Sequence, residues 1–135
     1  MATIDRIAAA LGTTFSTLVG VSADPSPDGV EVWSTPNGSW AHLLSAVETE
    51  DVSVELWKWR LVGDDRYQAT PAAGAPDWMI HVSRGNLRVR QGTKDLQVGE
   101  GESARLPSSP EFTFQAATAT VDFLRVATII RRPEE

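Results

Sequence analysis

From Val30 to Ile130 the chain is broken by turn residues into short runs, and no long helical pattern competes with them. The runs fall at 30–34, 39–47, 52–62, 77–84, 86–91, 95–98, 102–106, 111–117 and 120–130. Each has the length of a strand, and the stretch 52–62 is rich in the β-branched and aromatic residues that suit a pleated surface. Ten glycines and eight prolines supply the punctuation. Among them Asn37-Gly38 is a hairpin signal, because a tight two-residue turn needs positive backbone φ that Asn and Gly tolerate. Nine strands joined by tight turns predict a mainly β fold: a sandwich, a jelly roll or a barrel. At 135 residues this is one domain's worth of chain, long enough to bury a core without staples.

Residues 1–20 read differently. Ile4, Ile7, Ala8 and Leu11 recur at i, i+3, i+4 and i+7, one stripe of a helix that Thr3 caps and Gly12 ends. A second short helix is expected after Thr13 or Thr14, with Phe15, Leu18 and Val19 on one face. Two helices this short cannot bury their stripes alone and must dock on something. Residues 21–29 (VSADPSPDG) are polar and proline-rich, a linker or tight connection. The predicted organisation is therefore a helical pair at 1–20, a linker at 21–29 and a β domain at 30–132. The helical segment resembles the closing two helices of the XRE (lambda-repressor-like) helix-turn-helix family. Thr3, Ile7, Ala8, Ala10, Leu11, Gly12 and Leu18 match that family's tail, and Ile4 replaces its usual leucine. Without the resemblance, the same residues make a generic amphipathic helix pair. The resemblance implies that the helices which would read DNA are absent from this chain.

The segment from Trp78 to Phe114 resembles the double-stranded β-helix of the cupin superfamily. Its landmarks are Gly85, the run Asn86 to Arg90, a hairpin at Gly92-Thr93, and Gly101 followed six residues later by Pro107. The resemblance implies a jelly-roll barrel, and XRE helix-turn-helix units commonly precede cupin sensor domains. Metal-dependent cupins hold their ion with three ligands in a first motif and one in a second. Aligned on Gly85 and Pro107, those positions carry Ala72, Gly74, Trp78 and Phe112. None offers the imidazole or carboxylate that Zn, Fe or Mn requires, so neither a metal nor any other cofactor is expected. By the same analogy Trp78, Ile80, Phe112 and Phe114 face inward, joined by Ala116. They either fill the barrel as core or line a pocket for a small apolar or aromatic ligand. His81 falls on the opposite strand face with Met79, and His42 stands in another segment, so no two-histidine site is predicted.

Charge bounds the remaining options. Twelve Lys and Arg against 18 Asp and Glu give a net charge of −6, against a bare nucleic-acid binder. Trp57-Lys58-Trp59-Arg60 interleaves aromatics and cations, but alternation puts the tryptophans on one face and the cations on the other. Glu48, Glu50 and Asp51 read as a solvated turn, and no nucleophile signature is present. No apolar run approaches the roughly 20 residues of a membrane span. The absence of cysteine fits a reducing compartment, and the first twenty residues lack a signal peptide's charged start; a cytoplasmic location is expected. The expected function is a metal-free, non-catalytic, small-molecule-sensing cupin domain of an XRE-type regulator, acting through a ligand-linked change in a homodimer. The alternatives are a stand-alone cupin binding protein and a metal-dependent cupin dioxygenase or isomerase.

Overall fold

The structure, a computed structural model, describes residues 29–71 and 74–130. The expected helical pair at 1–20, the linker up to residue 28, Ala72 and residues 131–132 lie outside that range. Ten strands are present among the described residues: β1 (Val30–Ser34), β2 (Trp40–Glu48), β3 (Val52–Val62), β4 (Arg66–Ala69), β5 (Trp78–Arg84), β6 (Leu87–Gln91), β7 (Lys94–Val98), β8 (Ser103–Leu106), β9 (Phe112–Ala116) and β10 (Thr120–Ile130). They form a six-stranded sheet in the order β1-β2-β3-β10-β5-β8 and a four-stranded sheet in the order β4-β9-β6-β7. Every pairing is antiparallel.

Nine of the ten strands coincide with the runs expected from sequence, to within a residue or so at each end. The tenth, β4, was not expected. Its four residues bury only Tyr67 and Ala69, too short an alternation to stand out beside the turn before it. From β3 onward every connection except the β6–β7 hairpin passes from one sheet to the other. That alternation is the jelly-roll path. The expected closed barrel is corrected, because the sheets stay separate and do not hydrogen-bond edge to edge. Two of the crossings carry Pro71 and Pro76, and Pro107 and Pro110, which have no N–H to give a continuing ladder. Gln91 on β6 fastens the second of these crossings by donating from Nε2 to the carbonyls of Pro107 (2.7 Å) and Pro110 (2.8 Å).

Two turns fix the crossings that matter for the interior. Gly85, between β5 and β6, has φ +75°, and a Cβ there would stand 2.3 Å from the Thr120 carbonyl oxygen. Only glycine lets the backbone approach so closely. Gly101 likewise turns at φ +80° and donates to the Val82 carbonyl at 2.7 Å, tying the β7–β8 crossing to β5.

The core fills the space between the sheets. Ala41, Leu43, Trp57, Trp59, Leu61, Ile80, Val82, Val121 and Phe123 point in from the large sheet. Tyr67, Leu87, Val89, Phe112 and Phe114 meet them from the small one. As alternation requires, Trp57 and Trp59 are buried while Lys58 on the opposite face is exposed. No helix among the described residues is long and apolar enough to cross a membrane.

Candidate functional site

Strand β5 delivers Trp78, Ile80 and Val82 to the interior, and β9 delivers Phe112 and Phe114 from the other sheet. Trp78 and Phe112 meet edge to face with ring centroids 5.4 Å apart, and Phe112 meets Phe114 at the same distance. Trp78, Ile80, Phe112 and Phe114 are each 3% exposed or less. The four residues thus come together as one block of packed rings. Ala116 is half-buried at its edge. Of the family's metal positions, Trp78 and Phe112 lie in this block, Gly74 lies in the turn before β5, and Ala72 is not described. Among the described residues no three His, Cys, Asp or Glu side chains gather where they could hold an ion.

The centre of the block is a charge that the sequence reading missed. Arg125 on β10 is wholly buried, opposite Trp57 of β3 and Ile80 of β5. Its guanidinium carbon lies 4.3 Å from the ring centroid of Trp78 and 5.0 Å from those of Trp57 and Trp59. Three indole π-faces attract the cation where water does not reach it. Glu55, one inward position further along β3, is also buried and accepts a hydrogen bond from Trp57 Nε1 at 3.2 Å. The signal for Arg125 was present: in strand 120–130 it shares parity with Val121, Phe123 and Ala127. Glu55 was masked, because both faces of 52–62 carry apolar residues.

Beside Trp78 lies a cavity of about 80 Å³, lined by Pro71, Gly74 and Ala75 of the β4–β5 connection, by Trp78 of β5 and by Thr128, Ile129 and Ile130 of β10. Two hydroxyls at this end of the sandwich are buried and make no hydrogen bond: Ser53 Oγ and Thr70 Oγ1. Ser53 stands opposite Ile129 in the β3–β10 ladder, and Thr70 directly precedes Pro71. Neither lines the cavity, but each neighbours a residue that does, and buried polar atoms are nearly always paired, so the two call for an explanation. The lining has no nucleophile paired with a base.

The histidines lie elsewhere. His81 is on the outer face with Met79, its Nδ1 2.7 Å from Ser103 Oγ. His42 stacks on Trp40 at 4.3 Å and faces Glu31 at 3.7 Å. The most elaborate polar cluster outside the interior surrounds Asp65, whose carboxylate accepts from Ser39 Oγ, Thr35 Oγ1 and Asn37 Nδ2 at 2.5, 2.5 and 2.9 Å. The Ser39 hydroxyl, then that of Thr35, holds this acid below its ordinary range. Its partners belong to the Asn37-Gly38 hairpin, so the cluster clamps the β1–β2 turn to the β3–β4 turn.

No family model matches the chain, and no curated protein matches it. Solved structures do. An HTH_3 family transcriptional regulator from Vibrio cholerae superposes with a TM-score of 0.69 at 22% identity, over 98% of this chain and 74% of that one. A cupin superfamily protein from Desulfitobacterium hafniense gives 0.57 at 9% identity, over 73% of this chain and 84% of that one. The cupin domain of an XRE family transcriptional regulator from Enterobacter cloacae gives 0.50 at 13% identity, over 60% and 83%. The fold is thus mostly β and cupin-like, as expected from the motifs around Gly85 and Pro107.

Proposed function

We propose that the β domain is the small-molecule-sensing, non-catalytic part of a transcription regulator, and that its ligand enters the sandwich beside Trp78. The observation that carries this reading is a mostly apolar cavity against Trp78, with two unsatisfied buried hydroxyls, Ser53 and Thr70, on residues that neighbour its lining. A ligand that supplies their missing hydrogen bonds recovers the desolvation penalty each would otherwise impose, about 1–3 kcal/mol per group. A cavity of 80 Å³ admits a body of only a few heavy atoms, so the ligand is small, largely apolar, and carries one polar group. Trp78 forms one wall and lies over the buried guanidinium of Arg125. Occupancy beside Trp78 therefore bears on the charged centre of the core. Support for the regulatory setting comes from the helix-turn-helix resemblance of residues 1–20 and from the likeness to the Vibrio cholerae regulator.

The reading is tested by thermal shift of the full chain with n-butanol, propionate, butyraldehyde and phenol. At least one is expected to raise the melting temperature, and Ser53→Ala and Trp78→Phe are expected to weaken that effect several-fold. No shift with any probe, or a shift indifferent to both substitutions, overturns it. Elemental analysis decides the rival metal-enzyme reading: stoichiometric transition metal in the purified protein favours the enzyme.

A further inference from the structure

The outer faces of the two sheets are built for different surroundings. On the small sheet the outward positions are Arg66, Gln68, Arg88, Thr113 and Gln115, an ordinary solvated face. On the large sheet Leu56 of β3, Val126 of β10 and Met79 of β5 stand side by side in the ladders, with Leu124 next outward along β10. They floor an apolar groove of about 490 Å³ that runs on to β8, where Ser103 and Arg105 form its rim. Val47 of β2, opposite Val54 of β3, carries the apolar surface towards the other edge. Met79 is 53% exposed and Val47 64%. Apolar surface that continues across four strands marks a contact site, whereas singly scattered apolar residues do not.

We infer that this face is an interface between two copies of the chain, packed sheet to sheet about a two-fold axis. The area agrees. A strand residue occupies about 16 Å² of sheet, the product of its rise and the strand spacing, so six strands of 4 to 11 residues present roughly 770 Å². Each partner in a standard stable interface buries about 800 Å². The layout agrees as well, with the apolar floor at the centre and Arg60, Asp122, Asp77 and Arg105 around it, as in an interface with a dry core and a polar rim. The charge agrees too. A two-fold contact sets one patch against its own copy, so a patch sharing in the chain's net charge of −6 would repel itself. This face carries no acidic excess: Asp122 meets Arg60 at 2.7 Å, Asp77 meets Arg105 at 3.4 Å, Glu31 meets His42 at 3.7 Å, and Lys58 adds a cation. Two twisted sheets pack face to face at about 30°, with the side chains of each filling the grooves of the other. The contact locates the homodimer expected from the sequence, and it stands independently of the ligand reading because it uses the opposite face of β5.

Sedimentation equilibrium of the full chain, from about 0.1 to 100 μM, tests the contact. A dimer is expected. Met79→Asp and Leu124→Asp should each raise its dissociation constant at least tenfold, because the two-fold axis brings every added carboxylate against an apolar floor. Gln97→Asp, on the outer face of the small sheet, should change nothing. A second measurement reads the natural side chain itself. Oxidation of Met79 by dilute peroxide, scored against free methionine in the same tube, should be at least fivefold slower in the natural dimer than in Leu124→Asp diluted to monomer. A natural chain that stays monomeric at every concentration overturns the inference, whatever else covers the groove. A dimer indifferent to both groove substitutions overturns it as well, as does one whose Met79 oxidises as fast as in the monomer, because the copies then meet elsewhere.

Discussion

A guanidinium keeps its charge under all ordinary conditions, so wholly burying Arg125 costs desolvation that an apolar side chain would not incur. Three indole faces within 4.3–5.0 Å offset part of that cost. Stacking depends on a planar, weakly hydrated cation, and lysine has neither property. Arg125→Lys is therefore expected to lose about 1–2 kcal/mol of stability, the worth of desolvated cation–π contacts. Arg125→Ala also empties the space between Trp57, Trp59 and Trp78, and is expected to lose about 3 kcal/mol or more. Urea unfolding followed by tryptophan fluorescence measures both. Equal losses for the two variants would show that the rings respond to filled volume and not to the cation. The charged centre also shows the limit of reading by analogy. The cupin motifs directed attention to Trp78 and Phe112, which the structure brings into contact, while the group they surround came from β10, outside both motifs.

Strand β5 joins the two candidate surfaces, with Trp78 and Ile80 inside and Met79 and His81 outside. Its end is set by Gly85, where positive φ and a close approach coincide. A side chain there is expected to cost about 1–2 kcal/mol for the left-handed backbone alone. The Thr120 carbonyl 2.3 Å from the added Cβ belongs to the neighbouring strand and has little room to retreat. Gly85→Ala should therefore lose about 3 kcal/mol or more. Gly92→Ala supplies the contrast: its φ is +60°, but the added Cβ meets only Pro110 Cγ, at 3.2 Å, and about 1 kcal/mol is expected. Urea midpoints of the two variants check the order, and a reversal would mean that the β5–β6 turn yields more readily than its geometry allows. At this scale the sequence was most legible. Turn residues marked nine strands because glycine and Asn-Gly act locally, through the backbone positions they alone tolerate. Strand β4 escaped because its burial is decided at long range, by pairing with β9 and by Trp33 and Trp59 of the large sheet against Tyr67. Closure of the barrel was misjudged for the same reason, since edge pairing is a long-range property that local patterns do not encode. The buried hydroxyls of Ser53 and Thr70 were illegible too, because whether a serine or threonine finds a partner depends on residues distant in sequence.

Taken whole, the molecule sets an interior cavity and an exterior groove on opposite sides of one strand layer. Trp78 at the cavity and Met79 at the groove are adjacent residues of β5 on opposite faces. Packed strands transmit small shifts because interiors lack the free volume to absorb them. A ligand beside Trp78 is therefore expected to be felt at Met79, on the opposite face of the same strand. With whichever of the four probes binds best, the 13C shift of the Met79 methyl is to be followed on titration, in the natural chain and in Trp78→Phe. The shift is expected to move in step with occupancy in the natural chain, and Trp78→Phe is expected to weaken the response several-fold. A Met79 signal that stays fixed while the probe binds would remove β5 as the element joining the two faces.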